Sequence, residues 1–131
     1  MNERLNPPTL ATPNGFVHVV KSTGGTLLHI SGQVAYDSDG NVVGVGDLAA
    51  QVAQVYRNIE TILAAYGAKM SDLVKTTLFV RDMTPERIAI IRDVRKRFLV
   101  RDHLPASTMV GVAALARPEL MLEVEALAVL D

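Results

Sequence analysis

Two glutamates near the C-terminus are the residues whose type and spacing best suit catalysis. Glu123 and Glu125 alternate with the apolar residues Leu122, Val124 and Ala126. Because successive side chains of a β-strand point to opposite faces, both carboxylates are predicted to lie together, opposite a buried apolar face. Paired acids can divide the roles of general acid and general base when their environments separate their pKa values. The pair could equally be solvated, or be neutralised by a nearby lysine or arginine.

Small polar residues in two other predicted strands are further candidates. Gly32 follows Ser31 inside a strand, where a glycine marks a bulge or the close approach of a ligand or another backbone. Ser107 and Thr108 follow Pro105 at the start of a later strand. Their hydroxyls could donate to an anion, or could satisfy only local backbone groups.

Other residue types point away from metal, thiol and nucleic-acid chemistry. The chain has no cysteine, and its three histidines lack the spacing of metal ligands, so no metal site is predicted. Gly44 and Gly46 precede a helix without the third glycine of a dinucleotide fingerprint, and we expect no cofactor. The second helix has a basic flank, interpreted as a solvated face rather than a nucleic-acid site, at Arg92, Arg95, Lys96 and Arg97.

Length and composition indicate one globular domain, residues 1–131. The hydrophobic content is 49%, the charged content 21% and the net charge −1, which argues against disorder and against a nucleic-acid partner. The N-terminus has no apolar signal region, and no apolar run approaches the ~18 residues typical of a spanning helix. We therefore expect a cytoplasmic protein without a membrane partner.

The pattern of apolar and turn-forming residues predicts the element order ββαβαββ after an irregular lead-in at residues 1–14. Asp47 is predicted to cap the first helix, and Thr84 followed by Pro85 to begin the second. The last two strands are predicted to form a C-terminal hairpin. Two helices with apolar stripes can cover one face of a mixed sheet, so the fold class is α+β, a two-layer sandwich.

The second sheet face is predicted to mix apolar and polar side chains. It would carry Lys75, Thr77, Phe79, Met121, Glu123 and Glu125. Such a surface is too apolar for free solvent and too polar for a core. It is typical of an interface between copies of one chain, so we expect self-association.

Several segments together resemble the Rid family, also called YjgF-like. The resemblance runs from about Phe16 to the C-terminus. It rests on Ile30-Ser-Gly-Gln-Val, Gly46-Asp-Leu-Ala-Ala-Gln, Asn58-Ile-Glu, Val74-Lys-Thr-Thr-Leu-Phe-Val-Arg-Asp, Pro105-Ala-Ser-Thr-Met-Val-Gly-Val and Leu122-Glu-Val-Glu-Ala. It implies a chorismate-mutase-like fold and a homotrimer whose small-molecule clefts lie between neighbouring subunits.

The resemblance also implies an activity and a site. The best-known family members hydrolyse reactive enamines and imines to keto acids and ammonia. Their arginine grips the substrate carboxylate, and a glutamate on the last strand handles water and protons. That glutamate falls on Glu123, but the arginine position falls on Ser107. The resemblance assigns substrate binding to Phe16, at the position of a family tyrosine, and to Ser31, Gly32, Ser107, Thr108 and Met109.

Ser107 changes what this chain can do with a carboxylate. A neutral hydroxyl cannot replace a bidentate, permanently charged guanidinium. Arg117 lies ten residues beyond Ser107, roughly 30 Å away along an extended strand, and cannot serve the same cleft within one subunit.

Two functional hypotheses follow. The first is an enamine or imine deaminase in which Glu123 positions the water. The second is a non-catalytic trimer that binds a small ligand or a protein in the same clefts. Some family members are named endoribonuclease L-PSP, but ribonuclease activity is not favoured, because the sequence offers neither a histidine pair nor a predicted basic cleft.

Overall fold

The computed structural model describes residues 1–131 and contains, besides two short 3₁₀ helices at Met70–Asp72 and Arg101–His103, six strands and two α-helices. In chain order they are β1 (Asn2–Leu5), β2 (Val19–Ser22), β3 (Thr26–Gln33), α1 (Leu48–Ala64), β4 (Leu73–Arg81), α2 (Pro85–Arg95), β5 (Ala106–Val112) and β6 (Leu122–Leu130). The predicted order is confirmed, with one additional strand at the N-terminus. No helix is both long enough and apolar enough to cross a membrane.

The main sheet has the order β3-β6-β4-β5. Strand β6 is antiparallel to both of its neighbours, whereas β4 and β5 are parallel. The predicted C-terminal hairpin is therefore wrong, because β4 separates β5 from β6. Strand β6 carries the densest run of buried residues, and a central position lets its backbone pair on both edges while those side chains enter the core.

Both helices begin as the sequence predicts. The Asp47 carboxylate accepts a hydrogen bond from the Ala50 amide at 3.1 Å, and the Thr84 hydroxyl accepts one from the Arg87 amide at 3.2 Å. Pro85 occupies the first turn of α2, where its missing N–H costs nothing. These caps fix where each helix begins relative to the strand before it.

The helices pack on one face of the main sheet. Residues of α1, including Val52, Val55 and Ile59, form one core with alternate residues of β4 and β6, including Leu78 and Val124. The predicted two-layer α+β sandwich is confirmed. Met121, predicted to lie on the opposite face, is instead buried in this core, because it precedes β6 and lies outside its alternation.

The lead-in is not irregular throughout. Residues 2–5 form β1, which pairs antiparallel with β2. The Arg4 guanidinium holds this hairpin on the domain by donating to the carbonyls of Leu104, Ser71 and Leu73 at 2.8, 3.0 and 3.2 Å. These contacts join segments about 70 to 100 residues apart, which local sequence patterns do not reveal.

Gln51 of α1 sets the position of the chain as it enters β6. Its side chain is fully buried and makes three hydrogen bonds. Its amide nitrogen donates to the carbonyls of Glu119 at 2.8 Å and Gly44 at 3.1 Å, and its amide oxygen accepts from the Met121 amide at 2.9 Å. Both ends of the amide bond to backbone groups outside the helices and strands, of which the Gly44 carbonyl also accepts from the Asp47 amide at 2.9 Å.

Replacing Gln51 with leucine tests this anchor. Gln51→Leu keeps the volume but leaves two backbone groups unpaired, the Glu119 carbonyl and the Met121 amide, so we expect a loss of about 2–4 kcal/mol in the free energy of unfolding, measured by urea denaturation. Gln54→Leu is the matched control on the same helix. Gln54 is only half-buried, so its loss should be about 1 kcal/mol. Equal losses in the two variants would contradict the anchoring role.

Candidate active site on the outer sheet face

The sheet face opposite the helices, here called the outer face, carries both glutamates as predicted. The strand register sets two rows across β6, β4 and β5. The first row is Glu123, Phe79 and Val110, and the second is Glu125, Thr77 and Thr108.

A β-bulge at Ser31 and Gly32 brings strand β3 against Glu123. Ile30 pairs with Ala126 and Gln33 with Val124, so β3 has one extra residue across from Glu125. The Glu123 carboxylate lies directly on Gly32, where an added Cβ would be 2.7 Å from the glutamate Cδ. The glycine therefore provides the space that the carboxylate occupies. Of the two interpretations of this strand glycine, the structure shows the bulge, and the group that approaches it is a side chain.

The two glutamates differ in their surroundings. Glu123 is half-buried between Gly32 and the row that contains Phe79, whereas Glu125 is exposed. Neither carboxylate lies within 4.0 Å of a lysine, arginine or histidine nitrogen. Lys75, the lysine predicted to share this face, donates instead to the Thr108 hydroxyl at 2.7 Å. Glu123 thus offers a partly enclosed carboxylate without a neutralising cation in the same chain.

The three candidate residues of β5 do not share one face. The Ser107 hydroxyl accepts a hydrogen bond from the buried Thr76 hydroxyl at 3.0 Å, so Ser107 lies on the side of the helices. Met109 also packs against the core, whereas Thr108 is exposed on the outer face. Of the three, only Thr108 lies on the same side of the sheet as Glu123.

Phe16 lies beside the start of β5. The next residue, Val17, donates its amide hydrogen to the Pro105 carbonyl at 3.0 Å, and the Phe16 ring meets His18 edge-on at 6.0 Å between centroids. Strand β4 lies between β5 and β6, a separation of about 10 Å. The single chain therefore groups Ser31 and Gly32 with Glu123, and it keeps Phe16 and Ser107 apart from them.

The side chains of His18 and Arg117 bond to backbone carbonyls. His18 shares a hydrogen bond with the Ala11 carbonyl at 2.7 Å, and Arg117 donates to the Gly40 carbonyl at 3.0 Å. No cluster of three or more potential metal ligands occurs. A depression of about 400 Å³ on the outer face was not foreseen, and its polar lining includes His29, Ser31, Lys75, Thr77 and Glu125.

The basic flank of α2 is not uniformly solvated. Arg92, Lys96 and Arg97 are exposed, but Arg95 is buried, with 4% of its surface accessible. The prediction of a solvated face is therefore wrong for Arg95. Its position explains why, because Arg95 is one turn after Ile91 on the apolar stripe that packs against α1.

Comparisons with known proteins agree on one family. The profile of the family described as Endoribonuclease L-PSP matches residues 8–130. Two relatives named 2-iminobutanoate/2-iminopropanoate deaminase are similar over 107 residues each. The protein of Dermatophagoides farinae is 32% identical, and the alignment covers 82% of this chain and 80% of the relative. The protein of Salmonella typhimurium is 34% identical, and the alignment covers 80% of this chain and 80% of the relative.

The solved structures point the same way. The crystal structure of YyfB, a conserved Rid-family protein of Yersinia pestis, superposes with a TM-score of 0.94 at 38% identity and covers 98% of both chains. A crystal structure from Thermotoga maritima superposes with a TM-score of 0.72 at 29% identity, over 96% of this chain and 92% of its own. These matches confirm the chorismate-mutase-like fold.

Gly32→Ala tests the packing of the Glu123 carboxylate. The added methyl group would overlap the end of a flexible side chain rather than the backbone, so the carboxylate should move while the fold is kept. We expect a crystal structure of the variant to show Glu123 in a different rotamer, with a loss of no more than about 1 kcal/mol in stability. An unmoved carboxylate, with the strain taken up by the β3 backbone, would contradict this description of the site.

Proposed function

The chain belongs to the endoribonuclease L-PSP family, also called the Rid or YjgF family, and we propose that it hydrolyses reactive imines and enamines to carbonyl compounds and ammonia. The observation that carries the proposal is the half-buried Glu123 carboxylate, held against Gly32 and free of any cation in the same chain. The names of the two deaminase relatives support the reaction class.

Glu123 can serve both proton transfers of such a hydrolysis. As the oxygen of water bonds to the imine carbon, the carboxylate accepts one proton from the water, and the C=N π electrons move to nitrogen. The protonated glutamate then gives that proton to the nitrogen. In the second half the new hydroxyl loses its proton to Glu123 as the C–N bond breaks, and the amine leaves as ammonia with that proton. A carboxylate without a fixed counter-charge suits this exchange of roles.

The substrate is proposed to depend little on a carboxylate clamp. Ser107, at the position that the resemblance assigns to arginine, has its hydroxyl bonded to Thr76 and lies on the helix side of the sheet. Within one chain, no arginine or lysine nitrogen lies within 4.0 Å of Glu123. Recognition would then rest on shape and on backbone groups around the Ser31–Gly32 bulge.

We propose that the outer face assembles into a homotrimer, as the resemblance implies, with the ligand cleft between subunits. The apolar side chains on this face include Leu27 and Val110, which are exposed, and Phe79 and Leu127, which are half-buried. Burial of these side chains against other copies would also enclose Glu123. The assembly supports the proposed chemistry because an enclosed carboxylate is shielded from bulk water.

A non-catalytic trimer that binds a small ligand in the same cleft is the second candidate. The observation in its favour is that Ser107 is satisfied by Thr76 and offers no charge to a substrate. Turnover separates the two candidates, because a binding protein would be stabilised by a keto acid without consuming the corresponding imine.

Substituting each glutamate in turn tests the proposed catalysis. We expect Glu123→Gln to lower imine hydrolysis about 10²–10⁴-fold, because the amide cannot accept the proton of water. Glu125→Gln is the matched control on the same strand and face, and it should retain activity within about threefold because the Glu125 carboxylate, unlike that of Glu123, is not held against Gly32. The assay generates 2-iminopropanoate with an amino-acid oxidase and follows the loss of semicarbazone formation.

Equal rates for the wild type and Glu123→Gln would reject Glu123 as the catalytic residue. If the wild type does not accelerate hydrolysis at all, a thermal-shift measurement with 2-oxobutanoate tests the second candidate. A higher unfolding midpoint in the presence of this keto acid would favour the non-catalytic binding protein.

The proposed assembly is tested by placing a charge on the outer face. Wild-type protein should sediment as three chains, and Leu127→Glu should sediment as one folded chain, because a carboxylate buried without a partner opposes association. Tyr66→Glu is the control, since Tyr66 is 66% exposed just after α1. It should remain trimeric. A wild-type monomer, or a trimer in both variants, would contradict the proposed interface.

A further inference from the structure

A second concave site lies away from Glu123, at the C-terminal end of α2. It is a cavity of about 740 Å³ between α2, the lead-in around Asn14 and Gly15, and the segment that precedes β5. It shares no lining residue with the surroundings of Glu123. Its charged lining is Arg92, Arg95, Lys96, Arg101 and Asp93, and its apolar lining is Ala89, Leu99 and Leu104.

Arg95 is the buried member of this set, and it has no counter-charge. Only 4% of its surface is accessible, and no carboxylate oxygen lies within 4.0 Å of its guanidinium. Its one hydrogen bond to the protein runs from Nη2 to the Asn14 carbonyl at 3.2 Å. Most of its N–H groups therefore lack a protein acceptor, although buried guanidinium groups are ordinarily paired.

The neighbours of Arg95 do not neutralise it. Asp93, the one acid in the cavity lining, is engaged by Lys96 at 3.2 Å and by Arg97 at 3.0 Å on the exposed side of the helix. Burial raises the pKa of Tyr56 to about 12, so this buried phenol stays neutral near Arg95. Burial lowers the pKa of the Arg95 guanidinium, the interaction with Tyr56 opposes this shift, and the positive charge of Arg92 adds to it.

The dipole of α2 is an insufficient explanation for the placement of Arg95. A cation in the last turn of a helix interacts favourably with the unpaired carbonyls there, and Arg92 already meets that role from an exposed position. The dipole is a weak, solvent-screened effect, whereas even partial desolvation of a guanidinium without a counter-charge is a larger cost. The free chain thus holds a charge that a bound anion would compensate.

We propose that this cavity binds a small organic anion, with a carboxylate or phosphate on the Arg95 guanidinium and an apolar body against Leu99 and Leu104. The planar fork of arginine matches either oxyanion in a bidentate manner. Arg92 and Arg101 line the same cavity without carboxylate partners and add positive potential at its mouth. The cavity volume lies within the range of small-molecule sites. This site is independent of the hydrolysis proposed for Glu123.

Binding is measured on the full-length, ¹⁵N-labelled protein by NMR titration and by calorimetry. Phenyl phosphate and phenylacetate distinguish the two oxyanions, inorganic phosphate removes the apolar body, and benzyl alcohol removes the charge. We expect phenyl phosphate or phenylacetate to shift the amide signals of residues 89–101, and benzyl alcohol to leave them unchanged. Added salt should weaken binding, since part of the attraction comes from exposed arginines.

Arg95→Met is the decisive variant. It should weaken binding at least roughly tenfold, because the bidentate partner is lost, and it should raise the thermal midpoint, because an unpaired buried charge is replaced by an apolar side chain of similar length. Arg97→Met is the matched control on the same helix end, where the side chain is 65% exposed and paired with Asp93. It should change the affinity less than about twofold.

Three results would overturn the proposal. They are the absence of amide shifts around the cavity with both anions, an unchanged affinity in Arg95→Met, and binding of a short single-stranded RNA without binding of either small anion. If Arg95→Met does not fold, Arg101→Met provides the test, because Arg101 is exposed and lines the cavity. That variant should weaken anion binding several-fold, and an unchanged affinity would again reject the site.

Discussion

The double pairing of strand β6 is the constraint on which the rest of the structure depends. Strand β6 pairs with β3 on one edge and with β4 on the other, and these backbone hydrogen bonds fix its orientation in the sheet. Its side chains therefore alternate between the helix layer and the outer face. Burial of Leu122, Val124 and Ala126 against α1 therefore places Glu123 on the opposite side. A slip of one residue would bury both glutamates in the core, so the stability of the fold and the position of the carboxylate are enforced together.

The position of Glu123 is then refined by a local irregularity rather than by a hydrogen bond. The extra residue in β3 bends that strand, and Gly32 leaves a space beside the glutamate that any larger residue would fill. The carboxylate is thereby partly enclosed while both of its oxygens remain free of cationic partners. An ion pair would have fixed Glu123 more firmly, but it would also have stabilised the charged form and opposed the uptake of a proton.

The sequence predicts the parts of this fold that depend on local patterns. Alternation identified β6 and the shared face of its glutamates, and the residue types at Asp47 and Thr84 identified the helix starts. The hairpin prediction failed because strand order is decided by long-range pairing, and the order along the chain does not contain it. The site prediction is limited for the same reason. The sequence identifies Ser107 by its place in a family motif. Only the hydrogen bond to Thr76 shows that its side chain lies on the helix side of the sheet.

Arg95 shows that the number of basic residues in a segment is less informative than their positions on the helix. Four basic residues close together indicate a solvated face when they are counted by composition, but Ile88, Ile91, Arg95 and Phe98 recur at the spacing of one buried stripe. A charged residue at a buried position of a helix conflicts with the usual burial of apolar residues there. Such local conflicts are expected chiefly at functional sites. The outer face keeps an acid without a cation, and the cavity beside α2 keeps a cation without an acid. Within one chain the two charges lie at separate sites and do not pair with each other, so each can be assigned a ligand of its own.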